Sequence, residues 1–185
     1  MIAPADITNT RIETERLILR PWRETDLHDF YEYAKVDGVG QMAGWKPHGS
    51  MEESREILER FLTGKRTYAL VLKENGKVIG SLGLEAKEYP FIDAALSGRE
   101  FGYALSRDYW GRGLMPEAVQ AAMAHCFDVL CWDYILCGHF VWNQQSRRVV
   151  EKSGFQYLRE VPYQTRMGTV ETARLYIRYN PNKTR

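Results

Sequence analysis

The chain has 185 residues, which suits one domain that builds its own hydrophobic core. Lys and Arg together number 25 and Asp and Glu 24, so the formal net charge of +1 argues against a nucleic-acid binder held by bulk charge. Hydrophobic residues make up 44% and charged residues 26%, a balance that excludes disordered and low-complexity proteins.

The sequence also allows a prediction of the protein's cellular location. Its apolar runs are far shorter than the ~20 residues that span a bilayer, and its first residues lack the basic and apolar regions of a secretion signal. The three cysteines, an odd number, show no disulfide framework. We therefore expect a cytoplasmic protein with no membrane or nucleic-acid partner, built as one domain over residues 1–185 with its core at about 11–180.

The first third of the chain predicts one strand and two helices. Arg16–Trp22 has the composition of a strand. Apolar residues at helical spacing then predict a first helix, capped by Thr25, from Leu27, Phe30, Tyr31 and Ala34. Ser50 and Glu53 form a capping-box pattern that opens a second helix, and Gly64 closes it.

Strand patterns dominate the middle of the chain. The dipeptide Asn75-Gly76 lies between two apolar runs, which is the pattern of a tight β-hairpin. Glu100–Leu105 predicts a further strand, and the apolar stretch after it predicts a helix from about Leu114 to Leu130.

The last third predicts a strand, a helix and two strands. Tyr134–Val141 has the continuous apolar character of a buried strand, and Asn143 can cap a fourth helix that ends at Gly154. Tyr157–Thr165 and Thr172–Tyr179 are the final strands. The order β-α-α-β-β-β-α-β-α-β-β predicts an α/β domain with a mixed sheet of about seven strands and about four helices.

Two glycines lie at the turn into the third helix, in the sequence Trp110-Gly111-Arg112-Gly113. The unpaired N–H groups and the positive dipole end of a helix N-terminus attract anions, and glycine lets the backbone approach a ligand closely. One interpretation is a pyrophosphate cradle with Arg112 as an added cation; the other is tight local packing. The pattern is neither a P-loop, since no Gly-Lys-Ser/Thr follows, nor a dinucleotide fingerprint, which needs a third glycine at position 116.

Four short segments follow one another in a specific order and spacing: Glu15–Arg20, Glu100–Tyr103, Tyr109–Ala118 and Asn143–Phe155. With them the chain resembles the GCN5-related N-acetyltransferase (GNAT) superfamily and, within it, the ribosomal-protein-alanine N-acetyltransferase branch. The resemblance extends over nearly the whole chain. It implies a GNAT fold, in which two parallel strands splay apart to form the cleft for acetyl-CoA.

The resemblance further implies how acetyl-CoA is held. The superfamily's pyrophosphate pattern falls on Trp110, Gly113 and Met115, of which Trp110 and Met115 depart from the superfamily residues but are usual in this branch. The backbone amides at this turn would bind the pyrophosphate, from Trp110, Gly111, Arg112, Gly113, Leu114 and Met115. The segment Tyr103-Ala104-Leu105 would pair its backbone with the pantetheine arm, opposite the second splayed strand, Tyr134–Val141.

The same resemblance places the catalytic candidates. An amine must lose a proton before it attacks a thioester, and Glu100 occupies the strand position of the base in histone-acetylating members; an exposed structural carboxylate is the alternative. Ser146 would hydrogen-bond the departing CoA thiolate, since Val150 stands where many members have a tyrosine; a bond back to the carbonyl of Trp142 is the alternative. Asn143 can cap the helix, bind the pantetheine, or do both.

Trp45 and His48 lie in the loop that walls the acceptor side in this superfamily, and both are predicted acceptor contacts. The alternatives are packing at the core edge for Trp45 and a solvated position for His48. No metal is expected, because the close pairs of a structural zinc knuckle are absent among Cys126, Cys131, Cys137 and His139.

The sequence thus predicts an acetyl-CoA-dependent N-acetyltransferase that transfers the acetyl group directly to a primary amine in a ternary complex. The acceptor is a protein N-terminus or a small-molecule amine, and a homodimer is one expected state. A non-catalytic acyl-CoA-binding or regulatory module on the same fold is the alternative, and another nucleotide-binding α/β protein is the third reading.

Overall fold

The computed structural model describes residues 1–183 and arranges their strands in one eight-stranded sheet. The strands are β1 (Ile12–Glu13), β2 (Leu17–Pro21), β3 (Thr67–Leu72), β4 (Val78–Glu85), β5 (Gly98–Leu105), β6 (Tyr134–Phe140), β7 (Gln156–Gln164) and β8 (Val170–Tyr179). The helices are α1 (Leu27–Ala34), α2 (Met51–Gly64), α3 (Leu114–Asp128) and α4 (Gln144–Lys152). The sheet order is β1-β2-β3-β4-β5-β6-β8-β7, with β5 and β6 parallel and the other neighbours antiparallel.

This architecture confirms the predicted α/β class with its mixed sheet and four α-helices. β1 is the strand that the sequence does not predict, because two residues are too few to show an alternating pattern. Ser50 caps α2 as predicted, since its hydroxyl accepts from the N–H of Glu53 at 3.2 Å. The prediction that Thr25 caps α1 is wrong: a 3₁₀ turn at Glu24–Asp26 precedes the helix, which begins at Leu27.

Helices cover both faces of the sheet. One face packs against α3 and α4 and includes Leu70 and Leu82, whereas the other packs against α1 and α2 and includes Ala69 and Val71. Neighbouring strand residues therefore point to opposite layers, as the period of two requires. No helix within residues 1–183 is long and apolar enough to cross a bilayer.

The segment before residue 11 also contributes to the core, which extends it beyond the predicted start. Ala3 and Ile7 are each 1% exposed. The N–H of Ala3 donates to the carbonyl of Gly98 at 3.2 Å, so this segment lies beside the first residue of β5.

The divergence of β5 from β6 positions the site. Their parallel pairing begins at Gly98↔Tyr134 and ends at Phe101↔Cys137, whereas β5 continues to Leu105. On its other edge β5 stays paired with β4 along its whole second half. The two parallel strands therefore open a gap in the middle of the sheet, as the predicted splay requires.

The backbone of β5 presents hydrogen-bonding groups to this gap. The N–H of Ser106 donates to the carbonyl of Ile79 on the β4 side at 2.8 Å. Antiparallel bonding alternates along a strand, so the N–H and C=O groups of Tyr103 and Leu105 point away from β4 and toward the gap.

Candidate active site

A cavity of about 550 Å³ lies at the gap between β5 and β6. Its walls include most of the residues that the sequence singled out: Trp45, Glu100, Tyr103, Ala104, Leu105, Trp110, Gly111, Gly113, Leu114, Met115, Asn143 and Ser146. Two predicted residues, Arg112 and His48, do not line it. The structure thus brings twelve of the fourteen predicted positions to one cleft.

The glycine turn forms one end of the cleft. Gly111 and Gly113 both have φ of +75°, a conformation that favours glycine, and Gly113 is the N-cap of α3. The indole Nε1 of Trp110 donates to the carbonyl of Leu105 at 2.8 Å and so ties this turn to the end of β5. The free N–H groups at the start of α3 fit a pyrophosphate.

Arg112 lies outside the cleft. Its guanidinium packs 5.2 Å from the ring centroid of Tyr109, and its carbonyl accepts from Nη1 of Arg16 at 2.8 Å. The Arg16 guanidinium is held by Glu117 on α3 with a contact of 2.7 Å. Arg112 therefore contributes its backbone to the turn, and its side chain does not face the cavity.

Two cations on α4 line the same cavity although the sequence reading did not select them. Arg148 and Lys152 are four residues apart and lie on one helical face. That spacing is the signal that could have identified them. They add positive charge to the cleft.

Asn143 and Ser146 hold the start of α4. The Oδ1 of Asn143 accepts from the N–H of Ser146 at 3.0 Å, and its Nδ2 donates to the carbonyl of Met42 at 3.1 Å. Both amide atoms are therefore engaged, and the residue is 3% exposed. The helix-cap reading of Asn143 is confirmed, and its contact with pantetheine stays a prediction.

The hydroxyl of Ser146 contacts a phenol from the sheet. Its Oγ lies 2.7 Å from the OH of Tyr103, so the alternative bond to the carbonyl of Trp142 is not the one formed. Burial raises the pKa of Tyr103 well above its ordinary value, so this phenol stays protonated at neutral pH. Sequence alone could not pair them, because they come from separate elements 43 residues apart.

Glu100 is buried rather than an exposed strand carboxylate, with 7% of the residue exposed. Its Oε1 lies 2.8 Å from Nζ of Lys87, and its Oε2 accepts from the OH of Tyr89 at 2.6 Å. Burial and the charge of Glu100 both raise the pKa of Tyr89, which keeps this phenol a donor. The role of Glu100 as a base stays a prediction, and its two oxygens already have donors.

Glu85, at the end of β4, lines the cleft beside Glu100. The sequence reading did not select it. Ser81, Gly83 and Glu85 alternate along β4 on the same face as Glu100, Gly102 and Ala104 of β5. The alternating small residues Ser81 and Gly83, followed by an acid, are the sequence signal that could have identified Glu85.

Trp45 lines the main cavity, whereas His48 lies behind it. The two rings are 5.2 Å apart, and both line an adjoining cavity of about 200 Å³. His48 is 8% exposed, its Nδ1 is 2.7 Å from Oγ of Ser54, and its ring packs edge-on against Phe30. The solvated alternative for His48 is therefore wrong, because packing and the serine hold it in the interior.

His48 makes stability depend on pH. Burial lowers its pKa below the ordinary 6.5, an effect that Glu53 opposes, so the unfolded chain binds the proton more readily. The stability that neutral His48 contributes is complete above pH 6.5 and is lost as pH falls below it. We expect the difference in free energy of unfolding between wild type and His48→Asn to shrink from pH 8 to pH 5. Denaturant titrations measure it, and parallel pH curves would contradict it.

The cysteines do not gather around a metal. Cys126 on α3 and Cys137 on β6 are buried, and burial raises the pKa of both thiols, whereas Cys131 is exposed. The ring of His139 contacts the carbonyl of Phe140 and the OH of Tyr176. Within the described part of the chain, no group of three or more His, Cys, Asp or Glu side chains is arranged to hold a metal ion.

Comparison with known proteins agrees with this geometry. The acetyltransferase (GNAT) domain model matches residues 16–156. The chain is 29% identical over 148 residues to the uncharacterized N-acetyltransferase p20 of Bacillus licheniformis, covering 77% of this chain and 80% of that protein. It is 26% identical over 180 residues to the uncharacterized N-acetyltransferase YoaA of Bacillus subtilis, covering 93% and 98%.

Solved structures share the fold. A GNAT-family acetyltransferase from Bacillus anthracis superposes with a TM-score of 0.77 at 20% identity, covering 92% of this chain and 99% of that one. The ribosomal-protein-S5-alanine acetyltransferase from Vibrio fischeri gives 0.72 at 22% identity, covering 95% and 100%. Because the domain model covers more than half of the sequence, the chain belongs to the GNAT family of N-acetyltransferases.

Proposed function

We propose that the protein transfers an acetyl group from acetyl-CoA directly to a primary amine, with both substrates bound together. The observation that carries this proposal is the cleft where the splayed edge of β5, the glycine turn before α3 and two neighbouring carboxylates, of Glu85 and Glu100, meet. The first two fit a long phosphate-bearing cosubstrate. The third fits an amine that must give up a proton.

Two groups of cleft residues would bind acetyl-CoA, one at its phosphates and one along its pantetheine arm. The N–H of Trp110 already donates to the carbonyl of Arg107 at 3.1 Å, so this predicted amide is engaged within the turn. The backbone amides of residues 111–115, with Arg148 and Lys152, would hold the phosphates. The gap-facing N–H and C=O of Tyr103 and the N–H of Leu105 would pair with the pantetheine arm, since the carbonyl of Leu105 already accepts from Trp110. Acetyl-CoA supplies an activated thioester, so these residues need only bind it and orient it.

The hydroxyls at the gap suit the leaving group. Tyr103 stays protonated and lies 2.7 Å from Ser146, so it can donate to the serine oxygen. The serine hydrogen is then free to point at the departing thiolate. A hydrogen bond to an ionised group contributes about 1.5–3 kcal/mol, which is enough to favour departure of the thiolate.

Two acceptor classes fit this chemistry. One is a protein N-terminus, since the similar structure from Vibrio fischeri is named for acetylating a ribosomal protein. The other is a small amine. Trp45, on the wall of the main cavity, is the proposed acceptor contact, and His48 would support its ring from behind. A homodimer and a cytoplasmic location stay predictions.

The test measures CoA thiol release from acetyl-CoA with two panels, peptides with free N-termini and small amines. Acceptor-dependent release, with the acetylated product seen by mass spectrometry, would support the transferase and name its acceptor class. Acetyl-CoA binding without release on either panel would instead support a binding module. Release without any acceptor would identify a hydrolase.

Glu100→Gln belongs in the same assay. We expect turnover to fall by about 10- to 100-fold, because the neutral amide cannot balance the charge of Lys87 and the groups around the cleft lose their positions. Unchanged turnover would remove Glu100 from the reaction and leave the transferase proposal intact. Near-ultraviolet circular dichroism checks that the variant is folded.

A further inference from the structure

We infer, building on the proposed function, that Glu85 is the carboxylate that binds the acceptor's ammonium group and accepts its proton. Glu85 ends β4 and pairs directly with Glu100 across the antiparallel strands. Directly opposed residues point to the same face, and both carboxylates line the cleft. An amine that enters the cleft therefore meets two acids, which differ in their contacts.

Both oxygens of the Glu100 carboxylate already have a donor. Lys87 and Tyr89 each donate to one of its two oxygens, and the Lys87 ammonium also lies 4.5 Å from the ring centroid of Tyr163. The charge of Lys87 balances that of Glu100. The Glu100 carboxylate is therefore held by its own neighbours, a lysine and a tyrosine, before any amine enters the cleft.

Glu85, unlike Glu100, has no cation in direct contact with its carboxylate among the described residues. Within residues 1–183 its carboxylate makes no hydrogen bond or ion pair of its own. Arg99 interacts with it electrostatically, but the Arg99 guanidinium donates to the carbonyls of Ala3 and Leu84. Glu85 is the acid of this cleft that can receive an ammonium ion.

Two glycines place the Glu85 side chain over the floor of the cleft. A Cβ built on Gly83 would lie 2.5 Å from Oε1 of Glu85, and one built on Gly102 would lie 3.6 Å from its Cγ. The side chain thus extends back along β4 over Gly83. That direction leads toward Ser81, which pairs with Ala104 in the segment proposed to hold the pantetheine.

The proton balance of the step is complete without another reactant. The ammonium group gives one proton to Glu85, and the freed lone pair forms the C–N bond to the thioester carbonyl carbon. The C–S bond breaks and CoA leaves as a thiolate. The second nitrogen proton reaches the thiolate, which gives the amide and the CoA thiol.

The test compares a nucleophile that is protonated at neutral pH with one that is uncharged. Glu85→Gln, Glu100→Gln and wild type are assayed with an N-terminal alanine peptide or spermidine, whichever is active, and with hydroxylamine, which is largely uncharged at neutral pH. Glu74→Gln, an exposed acid in the β3–β4 hairpin, is the matched control.

For Glu85→Gln we expect kcat/KM with the charged amine to fall by about 100-fold or more and to recover as pH rises, because the solution then supplies free amine. With hydroxylamine the rate should stay near that of wild type. Glu100→Gln should lose a similar fraction of the rate with both nucleophiles, because the substitution breaks the ion pair with Lys87 whichever nucleophile is bound.

Gly83→Ala provides a second variant that keeps Glu85. Its new Cβ displaces the flexible carboxylate rather than the backbone, so the fold should persist while the same nucleophile-dependent loss appears. The inference is overturned if Glu85→Gln retains wild-type rates with the charged amine, or loses the same fraction with hydroxylamine. Wild type that is inactive with every nucleophile would instead overturn the proposed function on which the inference rests.

Discussion

Asp26→Ala is expected to lower the free energy of unfolding by about 3–5 kcal/mol, because it leaves the Arg20 guanidinium buried without its partner. Both residues are less than a tenth exposed. Two bonds join them, at 2.7 and 2.9 Å, and Asp26 also accepts from the N–H of Arg23 at 2.8 Å. For a chain of this size the loss corresponds to a fall in Tm of roughly 6–20 °C.

A double variant shows whether the loss of stability comes from the unpaired Arg20 charge or from any change at this position. Arg20→Met with Asp26→Leu removes both charges, so it should cost less than Asp26→Ala alone. Glu52→Ala breaks an exposed pair with Arg55 and should cost at most about 1 kcal/mol. Denaturant titration measures all three; a double variant less stable than Asp26→Ala would contradict this account.

Gly111→Val is expected to weaken acetyl-CoA binding by about 10- to 100-fold, the loss of one charge-assisted hydrogen bond of about 1.5–3 kcal/mol. Gly111 has φ of +75°, where a β-branched side chain is strained, and it lines the cleft. Nothing lies within 4 Å of the new Cβ, so the effect comes from the backbone and from the ligand.

Gly76→Val is the matched control for this substitution. Gly76 has φ of +72°, also has nothing within 4 Å of a new Cβ, and lies in the β3–β4 hairpin away from the cleft. Both variants should lose similar stability, but only Gly111→Val should lose affinity in calorimetric titration with acetyl-CoA. Equal affinities would show that this turn does not hold the phosphates.

The elements and the glycine turn could be predicted because their signals are local. The Asn75-Gly76 dipeptide, the Ser50 cap and the glycines of the turn act on neighbouring residues, and each reappears in the structure. The splay of β5 from β6 was predicted from the family resemblance. Hydrophobic periodicity could not predict it, because periodicity says nothing about how two distant strands diverge.

The contacts of the catalytic candidates could not be read in the same way. Lys87 and Tyr89 lie just beyond β4, where no repeating pattern marks them, yet both contact the Glu100 carboxylate. The pairing of Tyr103 with Ser146 depends on how α4 docks on the sheet. His48 is buried because its ring contacts the hydroxyl of Ser54 on α2 and the ring of Phe30 on α1. These contacts depend on how α1 and α2 pack together.

The tie between Arg16 and Glu117 has a consequence for the order of folding. The two residues are 101 positions apart, and Arg16 also holds the carbonyl of Arg112 at the glycine turn. Closing a loop of that length costs entropy before the contact returns any stabilisation. We therefore expect the glycine turn to reach its final geometry late in folding, after β2 and α3 have come together.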